Sequence, residues 1–374
     1  MNDLIYISLP RLCEYDPVLF TPDYAHHQWF HLNSALNWPP HTTSRVERLD
    51  TPWPLAHTVC AIPEYSKIPA ESFDIVIESI ADEFVNYCNK SQKKPYVCWS
   101  GGIDSTAIVV SLLKTAPRDF LDNVTILVSD SILQENGYFY HRFLKNQLHC
   151  ENIDQFEITE SNYQNIVITD GEAGNQIMGH GAINRLIYAG RADLLIQRWQ
   201  TQDLSMLFMG SNTYHHELIR QSIVRAPVDV VTGWDFLWWT NFNFKFDDVL
   251  LRKSMNYMKN LTPIQCQQFW KEGIWRFYPH KKMQQWSMST MHVRRESSSI
   301  MPKYVPKKYI FDYDRNPFWF SNKSEEGSTS ELFFAQPLGR DQSVFALDQD
   351  WNKYSIADQN TRQQLGKILQ RIKL

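Results

Sequence analysis

The chain predicts an α/β fold, with a parallel, doubly wound sheet followed by a mainly helical part. Two observations carry that prediction. Short apolar runs (YVCW, NVTILVSD, NIVITD) alternate with longer stretches of helical period between residues 70 and 190, the pattern of βαβ units. Beyond about Ala189 the strand signals fade, and the apolar residues recur at helical spacing. The resulting division is a small cap or strand-containing lobe over 1–69, a sheet domain over 70–190, and a mainly helical lobe over 191–374.

Taken in order, residues 1–69 are rich in Pro, His and Trp, with two short extended pieces, LIYISL and HTVCAI. In PAESFDIVIESIADEFVNYCNK, apolar residues fall at Phe73, Ile75, Val76, Ile80, Phe84, Val85 and Cys88. That is a helical recurrence, opened by a proline that a first turn tolerates. Lys93-Lys94-Pro95 breaks it, and YVCW then reads as a buried strand. After a pair of glycines, STAIVVSLLK is an apolar helix and NVTILVSD the next strand. A helix over 134–148, a strand at QFEIT and a third clear strand at NIVITD follow. RADLLIQRWQ, SMLFMGSNTYHHELIRQSIV, FDDVLLRKSMNYMK and PIQCQQFWKEGIW read as helices. The polar segment 320–331 reads as a loop. NTRQQLGKILQRIKL closes as an amphipathic helix with basic residues near its end, where they suit the helix dipole.

The 374 residues carry 43% apolar and 21% charged side chains and a net charge of -4. That balance argues against a dominant nucleic-acid surface. The basic stretch from Lys281 through Arg294 and Arg295 to Lys303, Lys307 and Lys308 reads as a solvated face or an anion-binding rim. Six scattered cysteines without a CxxC suit reduced thiols rather than a disulfide frame or a zinc site. The N-terminal MNDLIYISLPRLCEYD carries early acids and has no signal-peptide pattern. No apolar run approaches roughly 18 residues. A cytoplasmic protein is the expectation.

The strongest local signal is WSGGIDSTAIVVSLL, set between a strand and a helix. Gly101 and Gly102 let the backbone turn tightly and aim N–H groups at a phosphate oxygen. Ser100 and Ser105 add hydroxyl donors, and the following helix points its positive end at the same anion. Asp104 is acidic where a pure anion site would not want it, so it is assigned to Mg²⁺ bridging the phosphates. Other nucleotide motifs fail: there is no GxxxxGK[ST], and MGHGAIN lacks both a third glycine and a preceding strand.

YVCWSGGIDSTAIV is similar to the pyrophosphate loop of the PP-loop ATP pyrophosphatases. The resemblance implies a Rossmann-like parallel sheet, ATP with Mg²⁺, and activation of a carbonyl or carboxyl oxygen by adenylation. A second segment, VITDGEAGNQIMGHGAINRL, resembles the S-G-E-G-x-D-E-x-F-G-G segment of asparagine-synthetase-type synthetase domains. Gly171, Glu172, Gly174 and Gly179 match. Asp170 stands for Ser, Ala173 for Gly, and Asn175 and Gln176 for Asp and Glu. By this resemblance Glu172 is the base or positioner of an attacking amine, and Gly171 and Val128, with Leu127 beside it, line the nucleotide. Glu135 fits the acidic residue that follows the second strand. Asn175 takes a metal-binding position with an uncharged oxygen. A late lysine stabilises pyrophosphate, with Lys323 in NKSEEGS the first choice and Lys308 the next.

The implied activity is an ATP-dependent, AMP- and pyrophosphate-forming synthetase. It would join a small-molecule or peptide carboxylate to an amine or ammonia. Full asparagine synthetases begin with a glutaminase domain whose nucleophilic Cys follows Met1; here Asn2 stands there. Ammonia, if used, would come from a separate amidotransferase or carrier partner. Other branches fit less well: sulfur-transfer enzymes for tRNA use paired Cys or an iron–sulfur site, and deazaguanine-forming enzymes a Zn-binding Cys cluster. NAD and GMP synthetases share only the first motif. A degenerate nucleotide-binding protein without catalysis is the non-enzyme alternative, motivated by Asn175 and Gln176. The aromatic run Gly233 to Trp239 reads as core packing ahead of a substrate wall. The pairs His26–His27 and His215–His216 read as solvated or core histidines.

Overall fold

The structure, a computed structural model, describes residues 4–7, 44–46, 60–65, 71–179, 181–203, 207, 213–296, 301–323, 344–355, 358–361 and 363–364. The chain packs as two units, and neither is contiguous. One gathers Tyr65–Met178 with Asn256–Gln336, and the other gathers Met1–Glu64, Gly179–Met255 and Pro337–Leu374. The sequence division at 69 and 190 therefore separates segments that fold together.

The unit carrying the glycine loop is built on five strands: β1 (Lys94–Cys98), β2 (Thr125–Val128), β3 (His149–Asn152), β4 (Ile166–Thr169) and β5 (Ile274–Trp275). They run parallel in the order β3-β2-β1-β4-β5. This is a Rossmann-like α/β sheet whose order reverses between β1 and β4. Tyr96 to Cys98, Thr125 to Leu127 and Ile166 to Thr169 are all buried. Strands covered on both faces read as continuous apolar runs rather than alternating ones.

Its helices are α1 (Phe73–Ser91), α2 (Ile103–Thr115), α3 (Arg118–Asn123), α4 (Asp130–Phe139), α5 (Gly174–Met178), α6 (Pro263–Glu272), α7 (Lys281–Ser289), α8 (Met291–Glu296), α9 (Tyr304–Asp314) and α10 (Pro317–Asn322). In α1 the buried stripe is Phe73, Val76, Ile77, Ile80, Ala81, Phe84, Val85 and Cys88. That is the i, i+3, i+4 pattern of one apolar face. Ile75 lies outside it and is half exposed. Helices α1, α2 and α9 pack on one another. Phe73 meets the rings of Trp286 and Tyr309 edge-on at 5.2 and 5.7 Å.

Several sequence expectations change. The edge strand is His149–Asn152 rather than QFEIT, where a 3-10 turn over Ile153–Gln155 gives way to irregular chain. The helix expected over 134–148 starts at Asp130 and is broken. Asn136 leaves helical geometry (φ -148°, ψ 55°), and a π-helical turn, Tyr140–Leu144, follows. PIQCQQFWKEGIW splits, with α6 ending at Glu272 and Ile274–Trp275 joining β4 as β5. RADLLIQRWQ yields only a short helix, Asp193–Ile196, and a 3-10 turn, Trp199–Thr201.

In the other unit, Leu4–Ile7 pairs antiparallel with Val344–Asp348, which pairs antiparallel with Lys353–Ser355. The C-terminal portion thus contributes a sheet that the mainly helical expectation missed. HTVCAI shows no strand at its described residues, 60–62. Helix Gly233–Phe244 is buried at all twelve residues and opened by a Thr232/Asp235 capping box. Its Trp238 stacks on Phe242 at 4.8 Å, and Trp239 donates its indole N–H to Ser222 Oγ at 3.0 Å. The aromatic run is core. Arg45 ties the early chain to this helix. Its guanidinium donates to the carbonyls of Cys60, Ala61 and Phe242 and lies 3.9 Å from the Phe246 ring centroid. His26, His27, the side chains of His215 and His216, most of 320–331 and most of the final amphipathic segment lie outside the described residues.

Phe84 is fully buried among Phe120, Trp275 and Phe277. Replacing it with Ala removes about 3–5 kcal/mol of stability, measured as a lower midpoint in urea denaturation.

Candidate functional site

In an open α/β sheet the ligand crevice lies beyond the carboxyl ends of the strands, where the strand order reverses. Here that point falls between β1 and β4. The chain leaving β1 is the glycine loop, and the chain leaving β4 is Asp170-Gly171-Glu172-Ala173-Gly174. The two motifs singled out in the sequence therefore meet at one end of the sheet. A groove of about 380 Å³ bordered by Cys88, Lys93, Lys94, Phe120 and Asn123 opens at the amino end of β1 and belongs to neither motif.

The loop is braced by its own serines. Ser105 Oγ accepts the Ser100 N–H at 3.1 Å and lies 2.9 Å from Ser100 Oγ. Gly101 has φ 72°, a left-handed conformation that glycine adopts without strain. Gly102 caps α2, and a side chain on it would stand 3.2 Å from Ser100 Oγ and 3.6 Å from Glu135 Oε1. Val128, at the tip of β2, is half-buried, while Leu127 is fully enclosed. Trp99 extends the ladder by donating its N–H to the Leu127 carbonyl at 3.0 Å.

Asp104 sits in the first turn of α2, and its carboxylate lies against the start of α5. A Cβ on Gly174 would fall 2.7 Å from both Asp104 carboxylate oxygens, and one on Gly171 would fall 2.9 Å from the Ser105 nitrogen. Only glycines let the two turns approach this closely. Between them Ala173 holds φ 66°, so an alanine carries a left-handed backbone here without glycine's freedom. Buried Arg294 meets the other end of α5, donating to the carbonyls of Ile177 and Met178, each at 3.1 Å. The Tyr278 hydroxyl donates to the Asp104 carbonyl at 3.0 Å. Burial holds the Tyr278 phenol well above its ordinary pKa, so it remains a donor.

Lys303 and Lys323 reach this end of the sheet. Lys303 Nζ lies 2.5 Å from Asp104 Oδ2, with the two side chains 9% and 16% exposed. Lys323 Nζ lies 2.5 Å from Glu135 Oε1, the carboxylate beside Gly102. Lys308 pairs with Asp312 at 2.7 Å on the exposed side of α9 and stands outside the site. Sequence reasoning missed Lys303, which appeared only as one charge in a basic stretch. The stretch is not uniform: Lys282 pairs with Glu83, Arg294 is buried, and Lys303 turns inward.

Glu172 is half-buried, and its backbone N–H is held by Asp170 Oδ1 at 3.0 Å. Asn175 is half-buried in the first turn of α5, next to the glycine that receives Asp104; Gln176 is buried. The donor set bears on Mg²⁺. Asp104 Oδ1 is a buried carboxylate oxygen with no hydrogen-bond partner among the described residues. Those residues hold no cluster of three metal-ligating side chains. One free carboxylate oxygen suits an ion held mainly by phosphates, as Mg²⁺ commonly is. Among the described residues Cys60, Cys88, Cys98, Cys150 and Cys266 form no disulfide, and no helix is long and apolar enough to cross a membrane.

No family model, curated protein or solved structure matches this chain.

The Asp104–Lys303 pair is testable by a double-mutant cycle. Asp104→Asn and Lys303→Met, singly and combined, yield a coupling of about 1–3 kcal/mol in urea denaturation, because each single change strands a mostly buried partner.

Proposed function

We propose that the chain binds ATP across the Ser100–Ser105 loop and uses it to adenylate a carboxylate, releasing pyrophosphate, before an amine displaces AMP to form an amide. The observation that carries this reading is the meeting of two glycine turns at the point of strand-order reversal, with Asp104 packed between them. In this reading the fold is that of the PP-loop ATP pyrophosphatases. The N–H groups of Gly101 and Gly102 and the start of α2 take the β- and γ-phosphates. Ser100 and Ser105 exchange their mutual hydrogen bond for phosphate oxygens.

A carboxylate oxygen of the substrate attacks the α-phosphorus and the α–β bridging bond breaks. Negative charge gathers on the departing pyrophosphate, and in this reading the ammonium groups of Lys303 and Lys323 meet it. The amine nitrogen then attacks the acyl carbon, the bond to AMP breaks, and Glu172 takes the proton. Mg²⁺, when bound, would offset phosphate charge, and Asp104 Oδ1 and the Asn175 amide would be the protein groups that hold it. Val128 and Gly171 border the nucleotide.

One observation favours a second reading, nucleotide binding without turnover. Asp104 is already neutralised by Lys303, and the next metal position holds an amide rather than a carboxylate. Pyrophosphate exchange into ATP, run with a panel of carboxylic acids, separates the two. Synthetase function gives acid-dependent exchange that falls at least about 100-fold in Asp104→Ala. Gly174→Ala, which forces a methyl onto the Asp104 carboxylate, lowers exchange at least tenfold. ATP binding without exchange from any acid supports the second reading.

A further inference from the structure

We propose that Asp170 and Tyr257 are positioning residues that fix the Glu172 turn from outside the glycine motif. This rests on the reading of Glu172 as the group that receives the amine proton.

The geometry is a two-sided bridge. Strand β4 ends at Thr169, so Asp170 is the first residue of the turn. Its Oδ1 accepts the Glu172 N–H at 3.0 Å, and its Oδ2 accepts the Tyr257 hydroxyl at 2.7 Å. Tyr257 is the last residue of helix Phe246–Tyr257, 87 positions downstream. Its hydroxyl also lies 3.4 Å from Cys98 Sγ, at the end of β1. One phenol therefore touches the ends of both strands that border the reversal point.

A carboxylate accepts at two separate oxygens, whereas a serine has a single hydroxyl oxygen. Asp170, standing where the resembled segment has serine, can hold a backbone N–H and a distant hydroxyl together. The turn has reason to need holding. Ala173 keeps φ 66° two residues past Gly171, a conformation that persists only where its surroundings over-determine it. Burial, with the Asp170 charge beside it, keeps the Tyr257 phenol well above its ordinary pKa. The hydroxyl therefore stays a donor throughout the neutral range.

Amide hydrogen exchange on the full chain tests the bridge without reference to any reaction. In Tyr257→Phe and Asp170→Ala, exchange at the Glu172 amide rises at least tenfold, while the amides of Ile166–Thr169 keep their protection. Asp170→Asn, which retains an acceptor oxygen, falls between these and the unaltered chain. Should Asp170→Ala fail to fold, Tyr257→Phe decides alone, since it removes only a hydroxyl. In amide formation from acid, amine and ATP, Tyr257→Phe lowers kcat at least tenfold and leaves the KM for ATP within twofold, while pyrophosphate exchange, which precedes the amine step, stays within twofold. Unchanged exchange at Glu172, or a loosened turn with unchanged kcat, overturns the proposal. If the unaltered chain catalyses no exchange with any acid, the synthetase reading fails, and the Glu172 amide still reports whether the bridge exists.

Discussion

The candidate site depends on the contact between the Asp104 carboxylate and the backbone of Gly174. Asp104 belongs to the helix after β1, and Gly174 opens the helix after β4. Their separation leaves no room for even a methyl group. The first residues of α2 and α5 are therefore set as a pair rather than independently. Lys303 closes over the carboxylate, Tyr278 holds the main chain beneath it, and Arg294 secures the far end of α5. Three side chains from the segment following β5 thus stabilise the junction of two loops that come much earlier in sequence.

This arrangement explains why the unit is discontinuous. Four of the five strands and both glycine turns lie within Tyr65–Met178, but β5 and the groups that brace the turns lie within Asn256–Gln336. A division drawn from composition alone cuts the chain where strand signals fade. Those signals fade because the intervening residues, Gly179–Met255, belong to another core, in which Gly233–Phe244 is enclosed along its whole length.

Much of the fold was legible where one local cue dominated. The apolar runs of β1, β2 and β4 have no polar face, and only a doubly covered parallel strand suits them. The loop Ser100–Ser105 declared its turn through glycines and its helix through the apolar run that follows. Elements whose state depends on distant partners were not legible. QFEIT has strand-like composition, yet HCEN pairs with β2 instead. GIW continues a helical period, but Gly273 ends the helix and Ile274 pairs with Ile168. Leu4–Ile7 finds its partner some 340 residues away, beyond the reach of any local pattern. Within the site, glycines and acids were legible because their spacing is local. Lys303 was not: nothing in MPKYVPKK distinguishes an inward lysine from its exposed neighbours. The same holds for Tyr257, whose role exists only through Asp170.

Isothermal titration of ATP into the chain, with and without Mg²⁺, tests the central claim most directly. The account predicts one ATP bound per chain, tightened by Mg²⁺ and weakened at least tenfold by Gly174→Ala. Absence of ATP binding, or binding indifferent to a methyl group at position 174, would contradict it.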